Sequence, residues 1–172
     1  ADPDALNKVF RFLRKGFKVG ASIIKRLNDP DVMNMTELRR NVGNEIHYFR
    51  EFARFTSMDS KLYVCHIEPK NNVAYMVGQH FADRMPSEYW MIIDDKRHLA
   101  VVHPMDEDTY LRRLTDEEFE TLKNTEAKED EYTDMWRTFF KAVAIEQRKN
   151  PECQRSHFPI WMRKHATEFM DA

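Results

Sequence analysis

The sequence predicts an α+β fold in which a small antiparallel sheet of about three strands packs with several helices. Residues 61–68 alternate in side-chain character and predict a strand, since successive side chains of a strand face opposite sides of a sheet. Two apolar runs, 89–94 and 99–103, flank a short polar tip and predict a β-hairpin. Strands and helices lie in separate blocks rather than alternating, which favours α+β over a doubly wound fold.

The N-terminal segment is predicted to be a basic amphipathic helix over residues 5–18. Residues 5–26 carry seven Lys and Arg and no acid. We expect the phenylalanine face of this helix to pack on the core, although a basic aromatic helix also suits a membrane surface or a phosphate backbone. The chain is accordingly divided into a helical segment, 1–30, and a single α+β domain, 31–172.

The remaining helices follow from apolar periodicity and from capping residues. Asn34 with Glu37 predicts an N-cap for a helix that runs to about Phe55. Thr115 with Glu118 has the spacing of a capping box. Residues 126–131 are expected to be a solvated linker or a helix start. The other helices are predicted over 72–85, over 132–148 (ending at Asn150-Pro151) and after Pro159, where Trp161 and Phe169 lie.

Composition excludes several classes of protein. The sum of 27 Lys and Arg against 29 Asp and Glu excludes a uniformly basic nucleic-acid binder, but many acids lie in 106–134, which leaves room for a local basic face. Only 4 glycines and no glycine-rich phosphate loop speak against P-loop and dinucleotide-binding enzymes. No apolar run could span a membrane and no signal peptide is visible, so a cytoplasmic protein with reduced cysteines is expected.

Metal and nucleophile motifs are absent, and we expect neither a metal site nor a cofactor. A zinc site would need distant segments, for example His66, His80 and Cys153. Cys153 and His157 would form a thiolate–imidazole pair if they lay on one helix, but this spacing arises often by chance.

Acid–base chemistry has candidates at the strand ends and on the following helix. Glu68 ends a predicted strand just before a loop, where catalytic side chains often lie. His80 and Arg84 are one helical turn apart, and Asp94 lies at the hairpin tip. These residues could converge as a carboxylate, an imidazole and a guanidinium. The alternatives are an internal ion pair for Glu68 and Arg84, and a hydrogen-bonded core histidine for His80.

Several segments spread over roughly residues 36–165 form an ordered set of motifs. They are Glu45-Ile46-His47, Phe52-Ala53-Arg54-Phe55, Ile67-Glu68-Pro69 with Val73, His80-Phe81-Ala82 with Arg84, Trp90, Ile92 and Asp94 with Lys96-Arg97, and Trp136, Phe140, Ile145, Arg148, Asn150-Pro151, Gln154, His157 and Pro159. Together these segments resemble an uncharacterised bacterial family of probable DNA metabolism proteins, a domain of unknown function. Members of that family usually carry a further N-terminal segment, and this chain begins with Ala1, so we expect a fragment of a longer protein.

The resemblance implies a role linked to DNA. Family members are encoded beside a radical-SAM protein of DNA modification or repair, and some are fused to a uracil-DNA glycosylase-like domain. The leading hypothesis is therefore a DNA-associated accessory or adaptor domain for such a partner. The alternatives are an enzyme acting on a nucleotide or damaged base through Glu68, His80, Arg84 and Asp94, or a protein-interaction module. Besides Arg39, Arg40 and Arg50, the candidate nucleic-acid contacts are His47, Arg54, Arg84, Lys96, Arg97, Arg148 and Gln154.

Overall fold

The computed structural model describes residues 2–58, 61–125, 131–145, 148, 150–166 and 169. The chain divides into two compact units, Ala1–His47 and Tyr48–Ala172. The boundary expected at residue 30 falls inside the first of these units. Most of the expected linker, residues 126–130, lies outside the described residues.

The first unit is helical. It contains α1 (Ala5–Val19), a 3-10 helix (Gly20–Lys25) and the first part of α2 (Pro30–Phe52). Gly20 ends α1 with a φ of 67°, a left-handed conformation that glycine adopts without steric cost. The predicted N-cap at Asn34 is wrong, because α2 already begins at Pro30, where proline is favoured as the first helical residue.

Helix α1 confirms the predicted helix but not its predicted packing. None of its residues is buried, and Phe10 and Phe17 are 61% and 90% exposed. Leu6 and Leu13 lie on the same exposed row. Phe12 is half-buried within the first unit. The expectation that the phenylalanine face packs on the core is therefore wrong for Phe10 and Phe17.

The second unit is built on a five-stranded mixed sheet. Its strands are β1 (Thr56–Met58), β2 (Leu62–Ile67), β3 (Tyr89–Asp94), β4 (Leu99–His103) and β5 (Tyr110–Arg113), in that spatial order. The predicted strand and hairpin are confirmed as β2, β3 and β4. The expectation of about three antiparallel strands is wrong, because β1 and β5 add two strands and β2 runs parallel to β3.

Strands β2 and β3 can run parallel because α3 (Ala74–Arg84) connects them. The connection returns the chain to the end of the sheet at which β2 began, as parallel strands require. The helix packs against β3 and β4 so closely that a Cβ on Gly78 would lie 2.6 Å from Val101 Cγ1. The opposite face of the sheet is covered by Phe119 of α4 (Asp116–Thr125), which packs in a core cluster with Val64 and Ile93.

The capping box that opens α4 is confirmed. The Thr115 hydroxyl accepts from the Glu118 backbone N–H at 3.2 Å, and a Glu118 carboxylate oxygen accepts from the Thr115 N–H at 3.0 Å. Each residue thus satisfies a backbone donor that the first turn leaves without a partner. The short α4 is therefore fixed at its start by its own sequence.

The C-terminal region consists of α5 (Glu131–Val143), α6 (Pro151–His157) and a 3-10 helix, Ile160–His165. The predicted helix over 132–148 is shorter than expected, since α5 ends at Val143. Asn150-Pro151 opens α6 rather than simply ending a helix: the Asn150 side chain caps it by accepting from the Cys153 N–H. No helix in the described ranges is long and apolar enough to span a membrane.

Candidate functional site

The candidate site lies where the parallel strands β2 and β3 end. Ile67 pairs with Asp94, and the Asp95 N–H donates to the Ile67 carbonyl at 3.0 Å, which extends the ladder by one residue. Glu68 and Asp95 thus leave their strands side by side. In sheets with parallel strands, ligands bind at this carboxyl edge.

Four polar side chains meet on one side of this edge: His66, Glu68, Asp95 and His165. His66 Nδ1 lies 2.6 Å from Asp95 Oδ1 in a hydrogen bond. His165 Nε2 lies 3.5 Å from Glu68 Oε1 and 3.7 Å from Asp95 Oδ2. We call these four residues the carboxyl-edge cluster.

The C-terminal 3-10 helix brings His165 to the cluster. Phe158, just before it, stacks on Phe52 with ring centroids 4.2 Å apart. Trp161 contacts Phe49 edge to face at 5.9 Å. These aromatic contacts hold the short helix against the end of α2, so the position of His165 depends on packing rather than on a local motif.

A small cavity of about 10 Å³ adjoins the cluster. This volume is about that of one water molecule or one small ion. Its wall includes His66, Glu68, His165 and Arg54, and its apolar lining comes from the aromatic and methionine side chains nearby. The cluster is therefore half-buried and has little room for an organic substrate within the cavity itself.

Charges within the cluster act on one another. The hydrogen bond from Lys164 is the main cause that lowers the pKa of Glu68, and burial opposes it. Burial is the main cause that lowers the pKa of His165, while the charges of Asp95 and Glu68 oppose the effect. Glu68 is therefore an anion at neutral pH, and burial favours a neutral imidazole at His165.

Asp94, a predicted catalytic residue, lies on the opposite face of the sheet and is fully buried. Its Oδ2 accepts from Arg97 Nη1 at 2.7 Å, and its Oδ1 accepts from the backbone N–H groups of Lys96 and Arg97. Arg97 also donates to the carbonyls of Pro69 and Lys70. Asp94 and Arg97 thus join the hairpin turn to the loop after β2, although burial raises the pKa of Asp94.

His80 and Arg84 lie on α3, and the described contacts do not join them to Glu68 or Asp94. His80 is half-buried and packs edge to face on Phe81. Its pKa is lowered mainly by burial and further by the charges of Arg50 and Arg84. Of the four predicted catalytic residues, the carboxyl-edge cluster contains only Glu68.

The predicted nucleic-acid residues are spread over both units. Arg54 stacks on Trp136 with its guanidinium 5.6 Å from the ring centroid. Arg97 is committed to Asp94 and to two carbonyls, so it is poorly placed to bind phosphate. His47, Arg84, Lys96, Arg148 and Gln154 are exposed. Their contact with nucleic acid stays a prediction.

The thiol–imidazole pair proposed from sequence does come together on α6. Cys153 Sγ lies 3.6 Å from His157 Nδ1, and both side chains are exposed. The same nitrogen lies 2.9 Å from the Cys153 carbonyl oxygen. A carbonyl accepts only, so this contact requires a proton on Nδ1, and that nitrogen then cannot take the thiol proton. The geometry does not favour a nucleophilic site.

Two larger grooves lie elsewhere. One of about 980 Å³ beside α3 is lined by Asp83, Asp106, Glu107 and Asp108 and would repel phosphate. The other, of about 580 Å³, belongs to the first unit and is lined by Arg39 and Arg40 together with apolar side chains.

No sequence motif pointed to Asp95 or His165, and His66 was a candidate only for a zinc site. In the described part of the chain, His66, His80 and Cys153 do not come together. The one group of side chains there that could hold a metal ion consists of Glu68, Asp95 and His165. The two-residue spacing of His66 and Glu68 on one strand face was a usable signal. His165 had none, because it arrives from a distant segment.

Comparison with known proteins identifies a family. A family model of a domain of unknown function, DUF4130, matches residues 3–168. The chain belongs to this family. The match begins well before residue 36, where the resemblance seen in the sequence began. No curated protein and no solved structure matches the chain.

Proposed function

We propose that this DUF4130 chain is a DNA-associated accessory domain that acts beside a radical-SAM or glycosylase-type partner in DNA modification or repair. The observation that carries the DNA contact is the uneven charge of the two units. Residues 1–47 hold 9 Lys and Arg against 6 Asp and Glu, while residues 48–172 hold 18 against 23. The excess of positive charge thus lies in the first unit.

Most of these cations are available for a ligand. Within the described chain, Lys8 pairs with Asp2, and Lys15 pairs with Asp29 and Asp31. The other seven are exposed and have no acidic ion-pair partner among the described residues: Arg11, Arg14, Lys18, Lys25, Arg26, Arg39 and Arg40. Free cations on one unit are what phosphate neutralisation requires.

The groove beside Arg39 and Arg40 supports a contact with single-stranded or unpaired nucleotides. Its wall also contains Thr36, Asn44 and the ring of Phe12. Arginines can neutralise phosphates while apolar side chains accept a base, which is the chemistry of single-strand binding. The proposal therefore keeps Arg39 and Arg40 from the sequence-based candidates, adds the cations of α1, and no longer depends on the candidates in the second unit.

The exposed apolar row of α1 supports the part of the proposal in which the chain binds a partner protein. Leu6, Phe10, Leu13 and Phe17 recur at steps of three and four, so they form one row beside Arg14 and Lys18. Exposed large apolar rows in soluble proteins mark interaction sites. A Phe10→Ser/Phe17→Ser variant is expected to lose binding to the radical-SAM partner in a pull-down and to keep its thermal midpoint.

Fluorescence anisotropy with labelled single- and double-stranded DNA tests the DNA contact. Wild-type affinity is expected to fall with salt, with a log–log slope of about 0.9 for each phosphate contacted on a duplex. Reversing Arg11, Arg14 and Lys18 to Glu should reduce that slope by about two to three and weaken binding at least about tenfold.

The matched control reverses three exposed cations of the second unit, Arg84, Lys96 and Arg148. Its slope and affinity are expected to stay near wild type. Absence of salt-dependent binding to either DNA form would exclude the DNA contact. A loss confined to the control variant would place the contact on the second unit instead.

A second candidate function, an enzyme acting on a nucleotide or damaged base, is favoured by the carboxyl-edge cluster. Two carboxylates beside a half-buried imidazole are groups that transfer protons or bind a cofactor ion. The site would retain Glu68 from the sequence-based hypothesis and replace His80, Arg84 and Asp94 with Asp95 and His165. Incubation of the chain with nucleotides and with oligonucleotides carrying damaged bases, analysed by chromatography, tests this. Glu68→Gln should abolish turnover, whereas His80→Gln should not.

A further inference from the structure

We propose that Glu68, Asp95 and His165 bind a divalent transition-metal ion and that His66 holds Asp95 in place for it. The three side chains come from the ends of two parallel strands and from the C-terminal 3-10 helix. The inference deepens the second candidate function by naming the ion that its site would take. It can be tested without any catalytic assay.

The spacing of the three ligand atoms suits one ion. One oxygen or nitrogen from each residue lies within 4.8 Å of the other two. The two distances from His165 Nε2 are 3.5 Å to Glu68 Oε1 and 3.7 Å to Asp95 Oδ2. An ion bound at about 2.1 Å from each ligand atom holds those atoms about 3.0–3.5 Å apart, so small side-chain adjustments complete the site.

A histidine nitrogen of the cluster has no hydrogen-bond partner in the described chain. His165 Nε2 is buried and makes no hydrogen bond to any described residue, although two carboxylates lie beside it. When Nδ1 carries the imidazole proton, Nε2 presents a lone pair that can bind a cation. A cation between the three atoms would contact Nε2 and one oxygen of each carboxylate.

The orientation of Asp95 is already fixed by His66. The hydrogen bond from His66 Nδ1 engages Asp95 Oδ1 and leaves Oδ2 directed to His165. The His66 side chain is only 2% exposed, so its orientation is fixed by the core. Partners of this kind orient metal-binding carboxylates and tune their affinity.

The donor set selects the class of ion. One imidazole and two carboxylates suit Mn²⁺, Fe²⁺ or Zn²⁺ better than Ca²⁺ or Mg²⁺, which prefer oxygen ligands alone. Three protein ligands also leave positions for water or substrate, as in catalytic rather than structural sites. The adjoining cavity of about 10 Å³ has room for such a water.

Lys164 competes with the ion. Its Nζ contacts Glu68 Oε1, but the Lys164 side chain is 63% exposed and can turn into solvent. The wild-type affinity should therefore be moderate, and Lys164→Met should increase it by about threefold or more, since it removes the ammonium that occupies the Glu68 oxygen.

Titration of the metal-free full chain with Mn²⁺, followed by electron paramagnetic resonance and calorimetry, is the test. Mn²⁺ is chosen because the exposed Cys153 thiol is a poor ligand for it. One ion per chain is expected. Asp95→Asn and His165→Gln should each raise Kd at least about tenfold, and His66→Phe should raise it by about ten- to a hundredfold.

His80→Gln is the matched control, since this histidine lies outside the cluster, and its Kd should equal that of the wild type. His165→Gln keeps the test valid if Asp95→Asn does not fold, because the side chain of His165 is 24% exposed. Absence of Mn²⁺ binding, or equal Kd values for His165→Gln and His80→Gln, would overturn the metal site. Metal binding without turnover would instead reject only the enzyme proposal.

Discussion

Two adjacent carboxylates, Asp94 and Asp95, end up in opposite environments at the end of β3. Asp94 lies on the face covered by α3, is fully buried, and uses both oxygens in bonds to Arg97 and to the turn backbone. Asp95 lies on the other face, where His66 holds one oxygen and the second lies beside His165. A carboxylate with every bond satisfied stabilises the fold, whereas one with an oxygen to spare is available for a ligand.

The comparison predicts its largest effect for Asp94→Ala. The substitution removes the carboxylate that pairs with the Arg97 guanidinium, which keeps only its two carbonyl acceptors, and it leaves the N–H groups of Lys96 and Arg97 without this acceptor. We expect a loss of about 3 kcal/mol in the free energy of unfolding, measured by urea denaturation. Glu68→Gln, on the cluster side, should cost about 1 kcal/mol or less, since the Lys164 side chain of its ion pair is 63% exposed. Equal losses of unfolding free energy in Asp94→Ala and Glu68→Gln would contradict the view that Asp94 stabilises the fold while the cluster does not.

The next largest effect is predicted for Gly78→Ala, which tests the packing of α3 against Val101 and Trp90. The added Cβ would meet Val101 Cγ1 at 2.6 Å and would force α3 away from the sheet. Destabilisation of about 1–3 kcal/mol is expected from calorimetry or denaturation.

Gly43→Ala is the matched control for this substitution. Nothing lies within 4 Å of its added Cβ, and Gly43 is inside α2. It should stabilise the protein by about 0.5–1 kcal/mol, because alanine is the better helix former. Destabilisation of both variants alike would show that close packing at Gly78 is not the cause.

The smallest effect on stability is predicted for α4, the helix that covers the sheet face carrying the carboxyl-edge cluster. The Thr115 N–H is the main cause that lowers the pKa of Glu118. For an acid whose pKa is lowered by folding, the stabilisation is present above its unfolded value and is lost as pH falls through the folded value. The stability of the wild type should therefore fall more steeply below about pH 4.5 than that of Glu118→Gln, in denaturation curves across pH.

Parallel slopes for the two proteins would contradict a role for the Glu118 carboxylate in this cap. Thr115→Ala gives an independent measure at neutral pH, with an expected loss of about 1 kcal/mol. Both measurements concern α4, whose Phe119 packs 4.2 Å from the His98 ring and closes the core beside the cluster.

Local signals in the sequence were sufficient for most elements. Alternation at 61–68, the apolar runs around the hairpin tip and the Thr115–Glu118 capping box correspond to β2, β3, β4 and the start of α4. The short strands β1 and β5 were missed because three or four residues carry too little periodicity. Asn150-Pro151 was interpreted as a helix end, although its capping bond begins α6.

Exposure and pairing were decided only by tertiary structure. The periodicity of α1 predicted an apolar face, but nothing in it determined that Phe17 would stay 90% exposed. The parallel pairing of β2 with β3 depends on the path of α3, and it is this pairing that sets Glu68 beside Asp95.

The sequence by itself determined the longer helices and the strands β2, β3 and β4, because those elements depend on spacing, capping and turn chemistry within a few positions. It also identified Glu68 at a strand end. Only the tertiary structure decided that Asp94 supports the fold while Asp95 faces His66 and His165. The physical reason is that successive residues of a strand face opposite sides of the sheet, and what covers each side comes from remote parts of the chain.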